Sequence, residues 1–234
     1  MSAYSEDIGA DTSWPTEATC RMNRMYRRQR HIYDGTRRYY LLGRDQLIAG
    51  LQPRPGASVL EIGCGTGRNL VSAARLYPDA RFFGIDVSTE MLSSAMSAIA
   101  RHGLSDRIRL AHGDGTMFAP ERIFGVAAFD HIFVSYSLSM IPDWRRVVQA
   151  AVNHLKPGGR LHIVDFGGQE RLPGIARTLL RRWLAMFDVT PRDDLETALS
   201  AISDACRAEL KFGRPFRGYA QYAVLTVSPR QAAP

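Results

Sequence analysis

The sequence predicts an α/β domain with a mostly parallel seven-stranded sheet, helices on both faces and an antiparallel hairpin at its C-terminal end. Three observations lead there. Strand-length apolar runs alternate with helix-length segments between residues 58 and 166. The first run, Val59-Leu60-Glu61-Ile62, opens into Gly63-Cys64-Gly65-Thr66-Gly67, a glycine turn of the kind that joins a buried strand to a helix. Near the end, Ala208 to Phe212 and Tyr219 to Val227 read as two strands joined around Gly213, Pro215 and Gly218.

Residues 22 to 51 read as helical in two pieces separated by Gly35, with Met22, Met25 and Tyr26 in the first and Leu41, Leu42, Leu47, Ile48 and Leu51 in the second. Pro53 and Pro55 break that pattern before the first strand. Strands then follow at 58–62, 81–85, 107–111, 129–135 and 160–166, with helices at 67–76, 89–101 and 143–155. Ser88 or Thr89 can cap the second of these helices and Gly103 can end it, whereas Lys156-Pro157-Gly158-Gly159 is expected to stop the third before a strand. From Gln169 to Phe187, Leu172, Ile175, Leu179, Leu180, Trp183, Leu184 and Phe187 alternate with Arg171, Arg177, Arg181 and Arg182. That is an amphipathic basic helix, either docked with a wet arginine face or touching a membrane. Thr190-Pro191-Arg192-Asp193 resembles a further helix start.

The glycine spacing discriminates between ligands. A dinucleotide fold wants G-x-G-x-x-G, whereas the chain offers Gly63-x-Gly65-x-Gly67 and then Arg68. Glu61 stands two residues before the first glycine, where it would repel a pyrophosphate but attract a cationic amino or sulfonium group. In these residues the chain resembles the class I S-adenosylmethionine-dependent methyltransferases, whose first motif is an acid, one residue and G-x-G-x-G. The resemblance implies a Rossmann-like domain, S-adenosylmethionine as cofactor and S-adenosylhomocysteine as product.

The cofactor residues expected are Glu61, Gly63, Cys64, Gly65, Gly67, Asp86, Val87, Met91, Gly113, Asp114, Gly115 and Ser135. Asp86 ends the second strand, where a carboxylate can accept both ribose hydroxyls, and Met91 follows one turn into the next helix to pack on adenine. In the resembled family an acid at the place of Asp114 accepts from the adenine amino group. Phe129 to Ser135 should end in a polar aromatic loop, Tyr136-Ser137, facing the transferred methyl. His131 reads as a hydrogen-bonded strand histidine rather than a base.

Composition bounds the remaining choices. With 234 residues and 45% hydrophobic content the chain can bury one substantial core. No apolar run approaches the ~18 residues of a membrane span. The first twenty residues are polar and hold Glu6, Asp7, Asp11 and Glu17, so a disordered start over 1–20 without a signal peptide is expected, and with it a cytoplasmic protein. Cys20, Cys64 and Cys206 are too scattered for a disulfide framework or a metal site, and no metal is expected. The formal charge of +7 is concentrated in residues 21 to 44, where eight arginines face Asp34 alone. A cationic arm beside a ligand core points to an anionic partner, membrane leaflet or nucleic acid, unless it is a solvated face.

The segment from His31 to Asp45 is dense in tyrosine and arginine, and in the resembled fold such a segment forms a lid, here over 21–52, before a methyltransferase domain over 53–234 with a helical insertion at about 169–206. It looks like the corresponding stretch of the bacterial betaine-lipid enzymes, which methylate diacylglyceryl-homoserine to the trimethylated lipid. Bacterial phosphatidylethanolamine N-methyltransferases are the alternative. For an amine acceptor, which needs aromatic faces more than a strong base, Tyr33 and Tyr40 are expected for lid and substrate alignment, Tyr136 beside the methyl, and Arg37, Arg38 or Arg44 on a homoserine carboxylate, a cofactor carboxylate or a lipid phosphate. The partners expected are a lipid amine and, peripherally, the anionic inner membrane surface. An RNA methyltransferase and a non-catalytic scaffold are the competing readings; the first lacks an Asn-Pro-Pro-Tyr or Asp-Pro-Pro-Tyr motif.

Overall fold

A computed structural model describes residues 41–229. Helix α1 (Arg44–Leu51) precedes β1 (Ser58–Ile62), α2 (Arg68–Leu76), β2 (Arg81–Asp86), α3 (Thr89–Arg101), β3 (Ile108–His112), α4 (Pro120–Phe124), β4 (Phe129–Ser135), α5 (Trp144–Asn153) and β5 (Leu155–Phe166). Then come α6 (Gly174–Ala185), α7 (Leu195–Cys206), β6 (Glu209–Gly213) and β7 (Ala220–Thr226). The seven strands form one sheet in the order β3-β2-β1-β4-β5-β7-β6. Strands β1 to β5 pair in parallel, while β7 runs antiparallel to both β5 and β6.

The sheet separates two apolar layers. On one face Leu47, Leu70, Ala74, Leu92 and Leu184 from α1, α2, α3 and α6 pack on Val59, Phe82 and Phe133. On the other, Phe124, Trp144, Val148, Leu195 and Leu199 from α4, α5 and α7 pack on Leu60, Ile62, Ile132 and Ile163. Successive residues of β1 thus serve opposite layers, and every one of its residues is buried, as a central parallel strand requires. The strand order reverses between β1 and β4, so the crevice beyond their carboxyl ends lies at the switch point where open α/β sheets bind ligands.

Three local expectations are corrected. Lys156-Pro157-Gly158-Gly159 does not stop a helix. Helix α5 ends at Asn153, and Leu155 already pairs with Phe129, so the tetrapeptide is an irregular stretch of β5 around a register shift. Gly158 takes the left-handed conformation (φ +77°) and donates to the Val227 carbonyl at 3.1 Å. The basic helix begins at Gly174 rather than Gln169, because Pro173 occupies its N-cap position. Thr190 to Asp193 is an anchoring loop and α7 starts only at Leu195. In that loop Arg192 donates to the Leu138 and Ile141 carbonyls at 3.1 and 2.8 Å, and Asp193 accepts from Arg181 at 2.7 and 2.9 Å. Helix α4, five residues long, carries too little periodicity to be legible in the sequence.

Candidate active site

The crevice is floored by Glu61. Its side chain is fully buried; Oε1 accepts from Asn69 Nδ2 at 2.7 Å, and Oε2 is buried with no hydrogen-bond partner. Burial pushes its carboxyl well above the usual range, the Asn69 bond opposes that, the Asp86 charge adds to it and the Arg44 charge opposes it. Arg44, buried at the start of α1, also opposes the rise that burial imposes on the Tyr136 phenol, so the structure brings Arg44, Glu61 and Tyr136 into one electrostatic neighbourhood.

The turn after β1 has Gly63, Gly65 and Gly67 at φ +73°, +53° and +73°. A Cβ at Gly63 would stand 2.7 Å from Ser137 Cβ, whereas one at Gly65 would meet nothing within 4 Å. The first glycine is therefore needed for packing between the turns after β1 and β4, and the second leaves open space over the floor. Cys64 is buried beneath that turn, and burial holds its thiol well above the ordinary value, which makes it a packing residue rather than a nucleophile.

Asp86 ends β2 with little exposure. Its Oδ2 accepts from the Gly65 amide at 2.7 Å and its Oδ1 from the Ser88 amide at 2.9 Å, so the carboxylate is fixed between the glycine turn and the start of α3. Ser88 caps α3 by accepting from the Met91 amide at 3.3 Å. The Val87 carbonyl lies 3.1 Å from His112 Nε2, and Met91 is buried. After β3, Gly113 donates to the Asp86 carbonyl at 3.1 Å, and Asp114 Oδ1 accepts from the Thr116 amide and hydroxyl, both at 2.8 Å. Gly115 packs so closely on Ile62 that a Cβ would lie 2.6 Å from its Cγ2. Ser135 ends β4 with a buried hydroxyl lacking a partner. Thus the structure gathers Glu61, Asp86, Asp114 and Ser135 at the strands' carboxyl edge.

Next to this edge lies an aromatic patch. Tyr136, in the left-handed conformation (φ +55°), sets its ring 4.7 Å from that of Phe166, which is 5.9 Å from Tyr219. The Tyr136 hydroxyl donates to the Leu42 carbonyl at 2.5 Å, and burial together with the Asp165 charge raises its phenol well above the ordinary value. At neutral pH it is a neutral donor with its proton committed to the backbone. Tyr33, Tyr40, Arg37 and Arg38 lie outside the described residues.

Asn69 and Asp165 belong to this site without having been expected there. Asp165 is fully buried at the end of β5 and accepts from the Ser139 amide at 3.0 Å and its neighbour Phe166's at 2.7 Å. A lone acid closing an apolar strand was a usable signal, the same one that marks Asp86. A separate groove of about 860 Å³ runs between α1, α2 and α3, lined by Asp45, Thr66, Arg68, Arg75, Arg101 and His102. It contains none of Glu61, Asp86, Asp114 or Tyr136.

S-adenosylmethionine fits these donors on two observations: a buried, unsatisfied carboxylate oxygen suits a positively charged ligand, and the open space at Gly65 admits one close to the backbone. Comparison with known proteins agrees. Residues 59–159 match the family model described as a methyltransferase domain. The O-methyltransferase cnsE of Penicillium expansum is 30% identical over 64% of this chain and 52% of its own length. A demethylmenaquinone methyltransferase of Listeria monocytogenes is 28% identical over 56% of this chain and 53% of its own. The chain spans about half the length of these curated relatives. Among solved structures, the mitomycin 7-O-methyltransferase MmcR superposes with a TM-score of 0.69 over 90% of this chain and 60% of its own, at 16% identity, which shows the fold.

Proposed function

We propose that this chain, a class I methyltransferase domain whose cofactor is S-adenosylmethionine, transfers methyl groups to the amine of an apolar small molecule, and that this acceptor is a diacylglyceryl-homoserine lipid. When bound, the cofactor supplies a methyl group on a positively charged sulfur. Glu61 provides the compensating negative charge, Asp86 takes the ribose hydroxyls, Asp114 the adenine amino group, and Met91 and Val87 border the adenine. Gly63, Gly65, Gly67, Gly113 and Gly115 let the backbone approach, with Cys64 filling the turn and Ser135 offering its unpartnered hydroxyl.

One observation carries the amine assignment: the patch beside the crevice is built of rings and holds no histidine among the described residues, and the Asp165 carboxyl beside it is fully buried and taken by the Ser139 and Phe166 amides. His131 and His162 are strand residues facing one another at 3.2 Å, and burial lowers them to about 4 and about 3. His112 and His154 meet backbone carbonyls, His102 follows α3, and the Tyr136 proton is held by Leu42. Transfer from sulfonium to a neutral amine moves a positive charge without needing a strong base. Aromatic faces stabilise it by about 0.5–2 kcal/mol each, and most of the rate comes from in-line positioning away from water. Tyr136 lines the acceptor space, Tyr33 and Tyr40 align the acceptor from the lid, and Arg37, Arg38 or Arg44 pairs with its carboxylate. The anionic inner membrane surface is the place where such a lipid is met.

A second reading follows from the relatives' printed names: O-methyltransferases and demethylmenaquinone methyltransferases favour an apolar hydroxyl or quinone acceptor. Methyl-labelled S-adenosylmethionine offered with homoserine-lipid vesicles, phosphatidylethanolamine vesicles, dispersed demethylmenaquinone and total RNA separates these. Label in the homoserine lipid, appearing as mono-, di- and trimethylated species, is expected. Label in the quinone alone supports the second reading, and label in RNA alone overturns both.

A further inference from the structure

Helix α6 turns an apolar stripe outward. Ile175, Leu179 and Met186 are 80%, 62% and 68% exposed, and with exposed Arg182 they fall at spacings of four, seven and eleven residues, within about a sixth of the helix circumference. The opposite side is engaged: Leu180, Leu184, Trp183 and Phe187 pack into the layer that holds Tyr136 and Phe166. A second feature lies alongside. The Arg171 amide donates to the Arg217 carbonyl at 3.3 Å, placing the turn Phe216-Arg217-Gly218 beside the approach to α6. All three of its residues have left-handed φ (+54°, +58°, +79°), two without being glycine, and Phe216 is 40% exposed. Such a backbone is strained at the two residues that are not glycine, and here it presents a ring and a guanidinium to the outside.

The charges left unpaired at this face have one sign. Arg171, Arg182 and Arg217 are exposed and have no ion-pair partner among the described residues, whereas Arg181 is matched to Asp193 and Arg214 to Glu170 and Glu196. A second copy laid on the stripe would oppose these arginines with its own. Residues 21–40, with seven arginines and one aspartate, do not complement this charge; residues 1–20, with four acids and no lysine or arginine, do, and the melting temperature of Leu179→Glu separates them from a bilayer. A surface that accepts large apolar groups at its centre and guanidinium groups around them is an anionic bilayer, with the arginine stems lying along the acyl boundary.

We infer that the outer face of α6, with the Phe216–Arg217 turn, is a docking surface for an anionic lipid bilayer. The other side of the helix packs into the layer that holds Tyr136 and Phe166, so docking there would hold the proposed acceptor patch close to the bilayer. The inference rests on the lipid-acceptor reading above only for its purpose; the surface itself stands on exposure and charge.

The test is co-sedimentation of the full chain with vesicles of phosphatidylglycerol and phosphatidylcholine, against vesicles of phosphatidylcholine alone. Anionic vesicles should bind about tenfold or more tightly. Leu179→Glu should weaken that binding about tenfold while leaving thermal stability unchanged, and Arg171→Gln with Arg182→Gln should weaken it in a salt-sensitive manner. Unchanged binding by Leu179→Glu, or equal binding to neutral vesicles, overturns the inference. So does a dimer that Leu179→Glu dissociates, which assigns the face to a second copy, or a lower melting temperature for that variant, which assigns it to the chain's own residues. Vesicle binding as expected without any lipid methylation leaves this surface standing and removes the acceptor reading. Methylation of detergent-dispersed lipid without vesicle binding does the reverse.

Discussion

Replacing Glu61 with Gln removes one charge from the crevice floor and little else. Asn69 Nδ2 donates to Oε1 at 2.7 Å, and a glutamine carbonyl accepts the same bond, while the amide nitrogen takes the place of the unpartnered Oε2. Burial, with the Asp86 charge behind it, holds the Glu61 carboxyl well above its ordinary value. An acid raised on folding favours the fold while it is protonated and loses that contribution as pH rises through the raised value. Glu61→Gln should therefore stabilise the ligand-free chain on the alkaline side, read as a melting temperature above that of the wild type there. Binding should move the other way. A unit positive charge about 6 Å from the carboxylate, at an effective dielectric of about 20, is worth about 3 kcal/mol. Part of that is spent in ionising Glu61, which leaves about 1–2 kcal/mol, a roughly 5- to 30-fold weaker hold on S-adenosylmethionine. S-adenosylhomocysteine lacks the sulfonium but keeps the α-ammonium, so a loss confined to S-adenosylmethionine pairs Glu61 with the sulfonium, and a loss shared by both ligands pairs it with the ammonium. Equilibrium dialysis with labelled ligands, from about pH 6 to about pH 9, should show wild-type affinity for S-adenosylmethionine rising with pH and the variant's staying flat. Equal affinities of the two proteins for both ligands would refute the electrostatic argument.

The glycine turn gives a paired prediction. Gly63→Ala must displace Ser137 and adopt a positive φ, so it should cost about 2–4 kcal/mol in denaturant unfolding, whereas Gly65→Ala has only the φ strain of about 1 kcal/mol and should chiefly weaken cofactor binding. Tyr136→Phe removes the bond to the Leu42 carbonyl and should cost about 0.5–1.5 kcal/mol of stability while leaving turnover within a few-fold of wild type; loss of turnover with unchanged stability would make the hydroxyl a proton carrier. The histidine pair predicts a pH dependence. Burial first, with the Arg160 charge, lowers His131 to about 4, and burial, His131 and Arg160 lower His162 to about 3. Both stay neutral in the fold and gain protons on unfolding, so their contribution is intact above about pH 6.5 and is lost as pH falls toward 4. His131→Gln with His162→Gln should flatten the acid limb of the stability curve, and an unchanged slope would remove the pair as its cause.

What the sequence disclosed depended on how local the determining forces are. Strands 58–62 and 129–135 and helix 89–101 agree with the structure residue for residue, because continuous apolar runs and the Ser88 cap act within a few residues of themselves. The carboxyl-edge acids Glu61, Asp86 and Asp114 were legible for the same reason: each closes or follows a strand. Their partners were not. Asn69 reaches Glu61 across the glycine turn, and the Tyr136 hydroxyl finds the carbonyl of Leu42, 94 residues earlier in the chain. Lys156-Pro157-Gly158-Gly159 misled because a proline and two glycines read as a stop, whereas the antiparallel neighbour β7 holds Gly158 and Gly159 through Val227. Arg192 and Asp193 misled likewise, since their local pattern suits a helix start but their side chains are taken by distant groups.

The polarity of the crevice is most directly tested by calorimetric titration of the full chain with S-adenosylmethionine and, separately, with NADH. One-to-one binding of S-adenosylmethionine with no detectable heat from NADH is the predicted outcome. Tight NADH binding without any response to S-adenosylmethionine would contradict it.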